Sequence, residues 1–183
     1  GEMPDVNDQF TNYANDDSVF RSYIEWRADH PSDDLMTELL QAEYEDLDGT
    51  RKHLTHEEVL GFIGLLSGAG NETTARLIGW TGKLLSDHPD QRERLVEDRE
   101  LIPNAIEELL RWVTPIQAFC RTTTQPVEVG GAPIPAGAYV VMLYASGNRD
   151  EAAFGPTAHR FDITRPVSPS HVAFGFGEHL CLG

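Results

Sequence analysis

The sequence predicts a mainly α-helical protein with a small β-sheet. Hydrophobic residues make up 40% and charged residues 24% of its 183 residues, which is the composition of an ordinary folded domain. Helical periodicity dominates up to Pro115, and short alternating runs bounded by glycine and proline follow from Arg121. We therefore expect a single domain over residues 1–183, in which helices precede strands.

The first segment, residues 1–54, is polar, acidic and helix-prone. A helix is predicted over about 19–27, and a second one, capped by Ser32 or Asp33, runs through leucines from Leu35. Residues 45–52 are expected to form a loop.

A long central helix is predicted over residues 55–87. Thr55 and Glu58 form the two ends of a capping box, and no proline follows until Pro89. At about 1.5 Å per residue, such a helix would be about 45 Å long. Its middle contains several glycines, each of which costs a helix about 1 kcal/mol relative to alanine.

A shorter helix is predicted over residues 101–114, beginning near Pro103 and ending at Pro115. Its apolar residues recur at helical spacing and predict one buried stripe: Ile106, Leu109, Leu110 and Val113. The β region is predicted over 121–145, coil over 147–173, and a glycine-rich loop over 174–183.

Charge and cysteine content exclude several classes of function. The net charge is −16, and residues 1–60 carry 16 Asp and Glu against 4 Lys and Arg, so nucleic acid and anionic membranes are disfavoured as partners. Two cysteines, Cys120 and Cys181, make no disulfide framework, which favours a cytoplasmic location. No apolar run has the roughly 18–20 residues that span a bilayer.

The first candidate motif is the polar stretch Ala-Gly-Asn-Glu-Thr-Thr that begins at Ala69, in the middle of the long helix. It could be a solvent-exposed stripe on a loosened turn. It could also line a groove where a ligand approaches the backbone, with Glu72 and Thr73 moving protons.

The second candidate motif is Glu108 with Arg111, three residues apart on the shorter helix. Opposite charges at this spacing usually form a surface pair worth a few tenths of a kcal/mol.

The third candidate motif is F-x-x-G-x-H-x-C-x-G, from Phe174 to the last residue, with Cys181 as its cysteine. Glycines let the backbone turn tightly and direct N–H groups towards a sulfur, as a thiolate requires. The cysteine could instead be a buried free thiol. A zinc site would need more ligands than His179 and Cys181, and a cysteine nucleophile with His179 as base lacks an orienting group.

In this order, the three motifs resemble those of the cytochrome P450 family of heme-thiolate monooxygenases. The resemblance covers most of residues 55–183, and the cysteine loop is its most specific part. It implies the cytochrome P450 fold of a soluble bacterial type, here incomplete. Family members extend beyond this chain at both ends, so it also implies a partial chain, ending at the cysteine loop, that is inactive alone.

The resemblance implies heme b as cofactor, with Cys181 as the axial ligand of its iron. Phe174 would pack beside the sulfur, and Gly177 would help to direct N–H groups towards it. Three basic residues would contact the heme propionates: Arg121, His171 and His179.

The resemblance also assigns roles to the two helical motifs. Ala69 and Gly70 would leave a groove for dioxygen and substrate, while Thr73 and Glu72 would deliver protons. Three residues would form a buried charge network: Glu108, Arg111 and Arg160.

The implied reaction inserts one atom of dioxygen into an apolar small molecule, with electrons from NAD(P)H through ferredoxin reductase and ferredoxin. Two alternatives remain open. One is a heme-thiolate peroxygenase or isomerase, which the Glu72–Thr73 pair argues against. The other is a non-catalytic fragment that does not hold heme.

Overall fold

The computed structural model describes residues 18–167 and 170–183. The first seventeen residues of the predicted acidic segment and two residues of the predicted coil, 168–169, therefore lie outside the described residues. The chain forms two compact units that meet in sequence between Asn71 and Glu72. Each unit is described by itself below.

The first unit begins with two helices, α1 (Ser18–Asp29) and α2 (Leu35–Gln41). The cap of α2 is Asp34, one residue later than the sequence predicts, because its Oδ1 accepts the Thr37 N–H at 2.9 Å. This hydrogen bond is the main cause of a lowered pKa of Asp34. A small core fills the unit, with four buried side chains: Ile24, Met36, Val59 and Leu60.

The predicted loop at residues 45–52 forms the connection and the inner strand ends of a short hairpin, β1 (Glu43–Glu45) and β2 (Arg51–His53). The strands are antiparallel, with Glu43 opposite His53. All six strand residues are exposed, so the usual alternation of buried and exposed positions is absent. Charge pairs across the hairpin, such as Lys52 with Asp46, accompany the pairing.

The long helix α3 (His56–Asp87) starts in the first unit and continues into the second. Its first turn has the predicted capping box. The Thr55 N–H donates to Glu58 Oε2 at 2.7 Å, and the Glu58 N–H donates to Thr55 Oγ1 at 3.2 Å. Two backbone donors that no helical carbonyl can reach are thereby satisfied.

The second unit continues with α4 (Pro89–Glu97), a 3₁₀ turn (Arg99–Leu101) and α5 (Ile102–Val113). Its β region has four strands, β3 (Phe119–Thr122), β4 (Val127–Val129), β5 (Ala132–Ile134) and β6 (Tyr139–Met142). β3 pairs antiparallel with β6, and β4 pairs antiparallel with β5. Within the described residues, the sheets are therefore two-stranded.

Two one-turn helices follow, α6 (Tyr144–Gly147) and α7 (Glu151–Phe154), and a 3₁₀ turn (Gly177–His179) lies near the C-terminus. The second of these helices falls inside the predicted coil. Asp150 caps it, with Oδ1 accepting the Ala152 N–H at 2.9 Å.

The core of the second unit lies against α5. The buried residues of this apolar cluster are Leu84, Ala105, Leu109, Phe161 and Ile163. The predicted stripe is partly wrong, because Ile106 is 46% exposed whereas Glu108 and Arg111 are buried. The buried face of α5 is thus rotated towards its charged residues. Among the described helices, none is both long and apolar enough to cross a membrane.

Candidate functional site

Helix α5 places Glu108 and Arg111 one turn apart and buries both. Arg111 Nε donates to Glu108 Oε2 at 2.7 Å, and Arg111 Nη2 donates to Glu108 Oε1 at 2.8 Å. Their side chains are 1% and 3% exposed. The interpretation of this motif as an ordinary surface pair is therefore wrong. A bidentate, desolvated pair is far more strongly directional than an exposed one.

Arg165 is the third member of this network. Its Nε lies 3.2 Å from Glu108 Oε2, and its side chain is 8% exposed. The prediction of Arg160 for this place is wrong, because the Arg160 side chain is exposed. Among the described residues, Arg160 joins the network through its backbone oxygen, which accepts hydrogen bonds from Arg111 and Arg165.

Sequence reasoning missed Arg165, because the family resemblance drew attention to Arg160. Residues 162–165 form a turn in which the Arg165 N–H donates to the Asp162 backbone oxygen at 2.9 Å. In this turn the Arg165 side chain bonds Glu108, whereas the Arg160 side chain is exposed. No regular periodicity marks Arg165 in the sequence, because the segment is neither helix nor strand.

The remaining donors of Arg111 are also satisfied. Its Nη1 donates to the backbone oxygens of Asn148 at 2.6 Å and Ala158 at 2.9 Å. Together with the bonds to Glu108 and Arg160, this uses the five N–H groups of a guanidinium. The network therefore joins α5 to the chain around residues 148 and 158–165.

The glycine-rich loop forms a closed turn that ends at Cys181. The Cys181 N–H donates to the Phe174 backbone oxygen at 2.9 Å, and the Leu180 N–H donates to the Gly177 backbone oxygen at 3.0 Å. Gly175 and Gly177 have φ of +78° and +82°, a left-handed conformation that favours glycine. A Cβ on Gly177 would meet nothing within 4 Å. The loop thus presents an exposed thiol on an open face.

His171 lies at the start of this loop, in a buried position. Its ring Nε2 is 3.2 Å from Glu107 Oε2, and its side chain is 5% exposed. Burial lowers the pKa of His171, although the Glu107 carboxylate opposes the shift. The ring also packs against Phe174, with 5.6 Å between centroids.

The other two residues predicted to contact the heme propionates are less buried than the His171 side chain. Arg121 is half-buried in β3, where its guanidinium lies over the Phe119 ring and donates to the Cys120 backbone oxygen. His179 is exposed on the 3₁₀ turn before Cys181. Within residues 18–167 and 170–183, no hydrogen bond or ion pair joins Arg121, His171 and His179 to one another.

The middle of α3 carries the remaining candidates. Glu72 is exposed and pairs with Arg76 one turn further on, whereas Thr73 is half-buried. Ala69 and Gly70 are exposed, and a Cβ on Gly70 would meet nothing within 4 Å. In the described part of the chain, no group of three or more His, Cys, Asp or Glu side chains is placed to hold a metal ion, so the zinc alternative has no ligand set.

Comparison with known proteins decides the family. The model of the family "Cytochrome P450" matches residues 15–183. The chain belongs to the cytochrome P450 family. It is 41% identical over 167 residues to cytochrome P450 130 of Mycobacterium tuberculosis, which covers 91% of this chain and 40% of that protein. The chain thus spans about two fifths of the length of this relative.

Solved cytochrome P450 structures show the same fold. The ligand-free structure of cytochrome P450 TbtJ1 has a TM-score of 0.83 and 41% identity, covering 91% of this chain and 43% of that one. A cytochrome P450 of Bacillus megaterium in complex with testosterone has a TM-score of 0.83 and 40% identity, covering 91% and 44%. The predicted fold, mainly α with a small β region and only part of the cytochrome P450 fold, is therefore confirmed.

Two further buried residues of this cytochrome P450 chain were missed by sequence reasoning, Thr114 and Asn148. Thr114 ends α5 with φ +44°, and its Oγ1 donates to the Arg111 backbone oxygen at 2.8 Å. Asn148 follows α6, and its side chain bonds both Thr114 and the backbone of Val172. Neither residue stands out in sequence, because Thr and Asn before prolines or after glycines usually mark ordinary turns.

Proposed function

We propose that this chain binds heme b through the Cys181 thiolate and acts as a monooxygenase, inserting one atom of dioxygen into an apolar organic substrate. The observation that carries the proposal is the cysteine loop. In this loop the Cys181 N–H donates to the Phe174 backbone oxygen, and Gly175 and Gly177 have a left-handed conformation. No atom lies within 4 Å of a Cβ placed on Gly177, so a ligand has room there. Cytochrome P450 proteins bind heme, and this chain belongs to that family.

The residues present fit this cofactor. A thiolate needs nearby N–H groups to remain ionised, and the glycine-rich turn supplies backbone donors without side chains that would block a flat ligand. Arg121 carries a half-buried guanidinium and His179 an exposed imidazole, and both can donate hydrogen bonds to a propionate. His171, the third residue predicted to contact a propionate, has its ring beside Glu107 just before the loop.

When bound, the heme supplies dioxygen activation, and a thiolate ligand favours O–O cleavage. The chain supplies the ligand, the charges around the cofactor and the proton path. The Thr73 hydroxyl can donate and accept a hydrogen bond, and the exposed Glu72 carboxylate can exchange protons with solvent. On the surface of α3, the Glu72 carboxylate pairs with the Arg76 guanidinium.

The substrate is proposed to be an apolar small molecule, with electrons from NAD(P)H through ferredoxin reductase and ferredoxin. Ile116 and Phe119 are apolar and exposed at the start of the β region, where they are available to such a ligand. The similar structure from Bacillus megaterium is a complex with testosterone, which supports an apolar class.

Replacing each cysteine in turn tests the ligand assignment. The protein is expressed from its complete gene, loaded with heme, reduced and exposed to carbon monoxide. Cys181→Ser should abolish the red-shifted absorption band that a thiolate ligand causes. Cys120→Ser is the matched control, because Cys120 is also an exposed cysteine, and it should keep the band. A Cys181→Ser protein with the full band would contradict the proposal.

The proton role of Thr73 is tested by the yield of product per NAD(P)H. Thr73→Ala should lower this yield and raise hydrogen peroxide, while heme binding and NAD(P)H consumption continue. Thr73→Ser keeps a hydroxyl and should retain most of the yield. Thr74→Ala, at the exposed neighbouring position, is the control for helix effects. Equal yields in Thr73→Ala and Thr74→Ala would overturn this role.

A further inference from the structure

We propose that Asn148 is a positioning residue for the cysteine loop. Its side-chain amide connects the end of α5 to the backbone that leads into the loop. The significance of that position rests on the proposed function, since it is Cys181 that is being positioned. The connection itself is a property of the polypeptide and is testable without heme.

The amide group of Asn148 is completely buried and makes one hydrogen bond on each side. Its Oδ1 accepts the Val172 N–H at 2.8 Å. Its Nδ2 donates to Thr114 Oγ1 at 2.8 Å. Asn148 is 0% exposed, so water cannot replace either bond.

The neighbouring groups fix the direction of the amide. The Thr114 hydroxyl donates its hydrogen to the Arg111 backbone oxygen at 2.8 Å, which leaves its oxygen as an acceptor. Only the NH₂ side of the amide can donate to that oxygen. The carbonyl side must therefore face Val172, whose N–H requires an acceptor.

The same residue is tied to the charge network. Its backbone oxygen accepts Arg111 Nη1 at 2.6 Å, and Arg111 is held in turn by Glu108. Asn148 is thus immobilised through its backbone by the network and contacts the loop segment through its side chain. A shift of the network would be transmitted to Val172 along two short hydrogen bonds.

Close packing accompanies the hydrogen bond. A Cβ on Gly175 would lie 3.6 Å from the Tyr144 hydroxyl, and a Cβ on Gly147 would lie 3.8 Å from Val172 Cγ2. The segment 144–148 therefore lies directly against residues 172–175. From Val172 the chain reaches Phe174, whose backbone oxygen accepts the Cys181 N–H at 2.9 Å. This series of contacts leads from α5 to the proposed heme ligand.

Hydrogen–deuterium exchange of backbone amides tests the proposal in the heme-free protein. Asn148→Ala removes the acceptor of Val172 and should raise exchange over residues 172–181 about tenfold or more, as expected when a buried hydrogen bond is lost. Asn148→Asp keeps an acceptor oxygen for Val172 but places a second acceptor against Thr114 Oγ1, so it should restore only part of the protection.

Asn104→Ala is the matched control. Asn104 Nδ2 also bridges two segments, donating to the backbone oxygens of Ile163 at 2.6 Å and Arg165 at 3.0 Å. Its loss should leave residues 172–181 unchanged. Equal effects of Asn148→Ala and Asn104→Ala on these residues, or no effect of Asn148→Ala, would overturn the proposal.

Exchange over α5 shows whether each variant remains folded. If Asn148→Ala also loosens α5, Thr114→Val is compared with it. Thr114→Val removes the partner of Nδ2 and the hydroxyl's own bond to the Arg111 backbone oxygen, but it keeps the Oδ1 bond to Val172. It should raise exchange over 172–181 by a smaller factor, and unchanged exchange would overturn the proposal. A protein that shows these exchange effects but binds no heme would retain this inference and refute the proposed function.

Discussion

The charge network and the cysteine loop belong to the same compact unit but are built in opposite ways. In the network, Glu108, Arg111 and Arg165 are almost completely buried, and each guanidinium donor has an oxygen to bond. In the loop, Phe174 and Cys181 are exposed, and the turn is held by a few backbone hydrogen bonds. All donors of the two guanidiniums in the network have partners within the polypeptide, whereas Cys181 of the loop is exposed.

This difference indicates a division of roles. A buried carboxylate between two guanidiniums tolerates little change, because removing one guanidinium leaves buried oxygens without their hydrogen-bond donors. A glycine-rich turn tolerates motion and gains order when a ligand packs on it. We therefore expect substitutions in the network to reduce folding stability, and substitutions in the loop to act mainly on heme binding.

The largest expected effect is that of Arg165→Ala. The substitution leaves Glu108 with one buried partner and should lower the free energy of unfolding by about 3–5 kcal/mol. Arg160→Ala is the matched control and should change it by less than about 0.5 kcal/mol, because that side chain is exposed. Urea unfolding of both variants measures the difference. Equal losses would place Arg160 in the network after all.

A smaller effect is expected at Gly177. Its φ of +82° is left-handed, so Gly177→Ala should cost about 1–2 kcal/mol in the local conformation of the loop. Gly70→Ala, in an exposed turn of α3 where a Cβ meets nothing, should instead stabilise the helix by about 0.5–1 kcal/mol. Urea unfolding of both variants measures whether the free energy of unfolding falls for Gly177→Ala and rises for Gly70→Ala. A stabilising Gly177→Ala would show that the loop does not retain this conformation.

The smallest effect is a pH dependence that arises from His171. Burial lowers its pKa in the folded state below the ordinary value of 6.5, with Arg111 adding to the shift and Glu107 opposing it. Below 6.5 the unfolded chain therefore binds a proton that the folded chain excludes, and stability falls as the pH decreases towards the folded pKa.

His171→Gln should remove this component of the stability–pH profile, measured by urea unfolding between pH 5 and pH 8 in wild type and variant (roughly the range in which histidine titrates). His179→Gln is the control, since that ring is exposed. A profile for His171→Gln that follows wild type over the whole range would contradict the assignment.

The helices were largely predictable because their signals are local. The Thr55–Glu58 capping box and the absence of proline before Pro89 predict a helix from 55 to 87, and α3 runs His56–Asp87. The hairpin of β1 and β2 was not predictable in this way. Its residues are charged and exposed on both faces, so no alternation marks it.

The site was predictable only where a motif is contiguous in sequence. Glu108 and Arg111 are one helical turn apart, and the cysteine loop is a single run. Arg165 and Asn148 bond α5 from 57 and 37 residues away along the chain from Glu108 and Arg111, respectively. Such partners depend on how the chain returns to the helix.

Amide exchange in the presence and absence of heme tests most directly whether the cysteine loop, and not the charge network, gains order from the cofactor. With the protein expressed from its complete gene, heme should slow exchange over residues 174–181 about tenfold or more, because the loop gains a ligand. Exchange over α5, which carries Glu108 and Arg111, should stay within about twofold, because its interactions are already complete. Protection of α5 without protection of the cysteine loop would contradict the account.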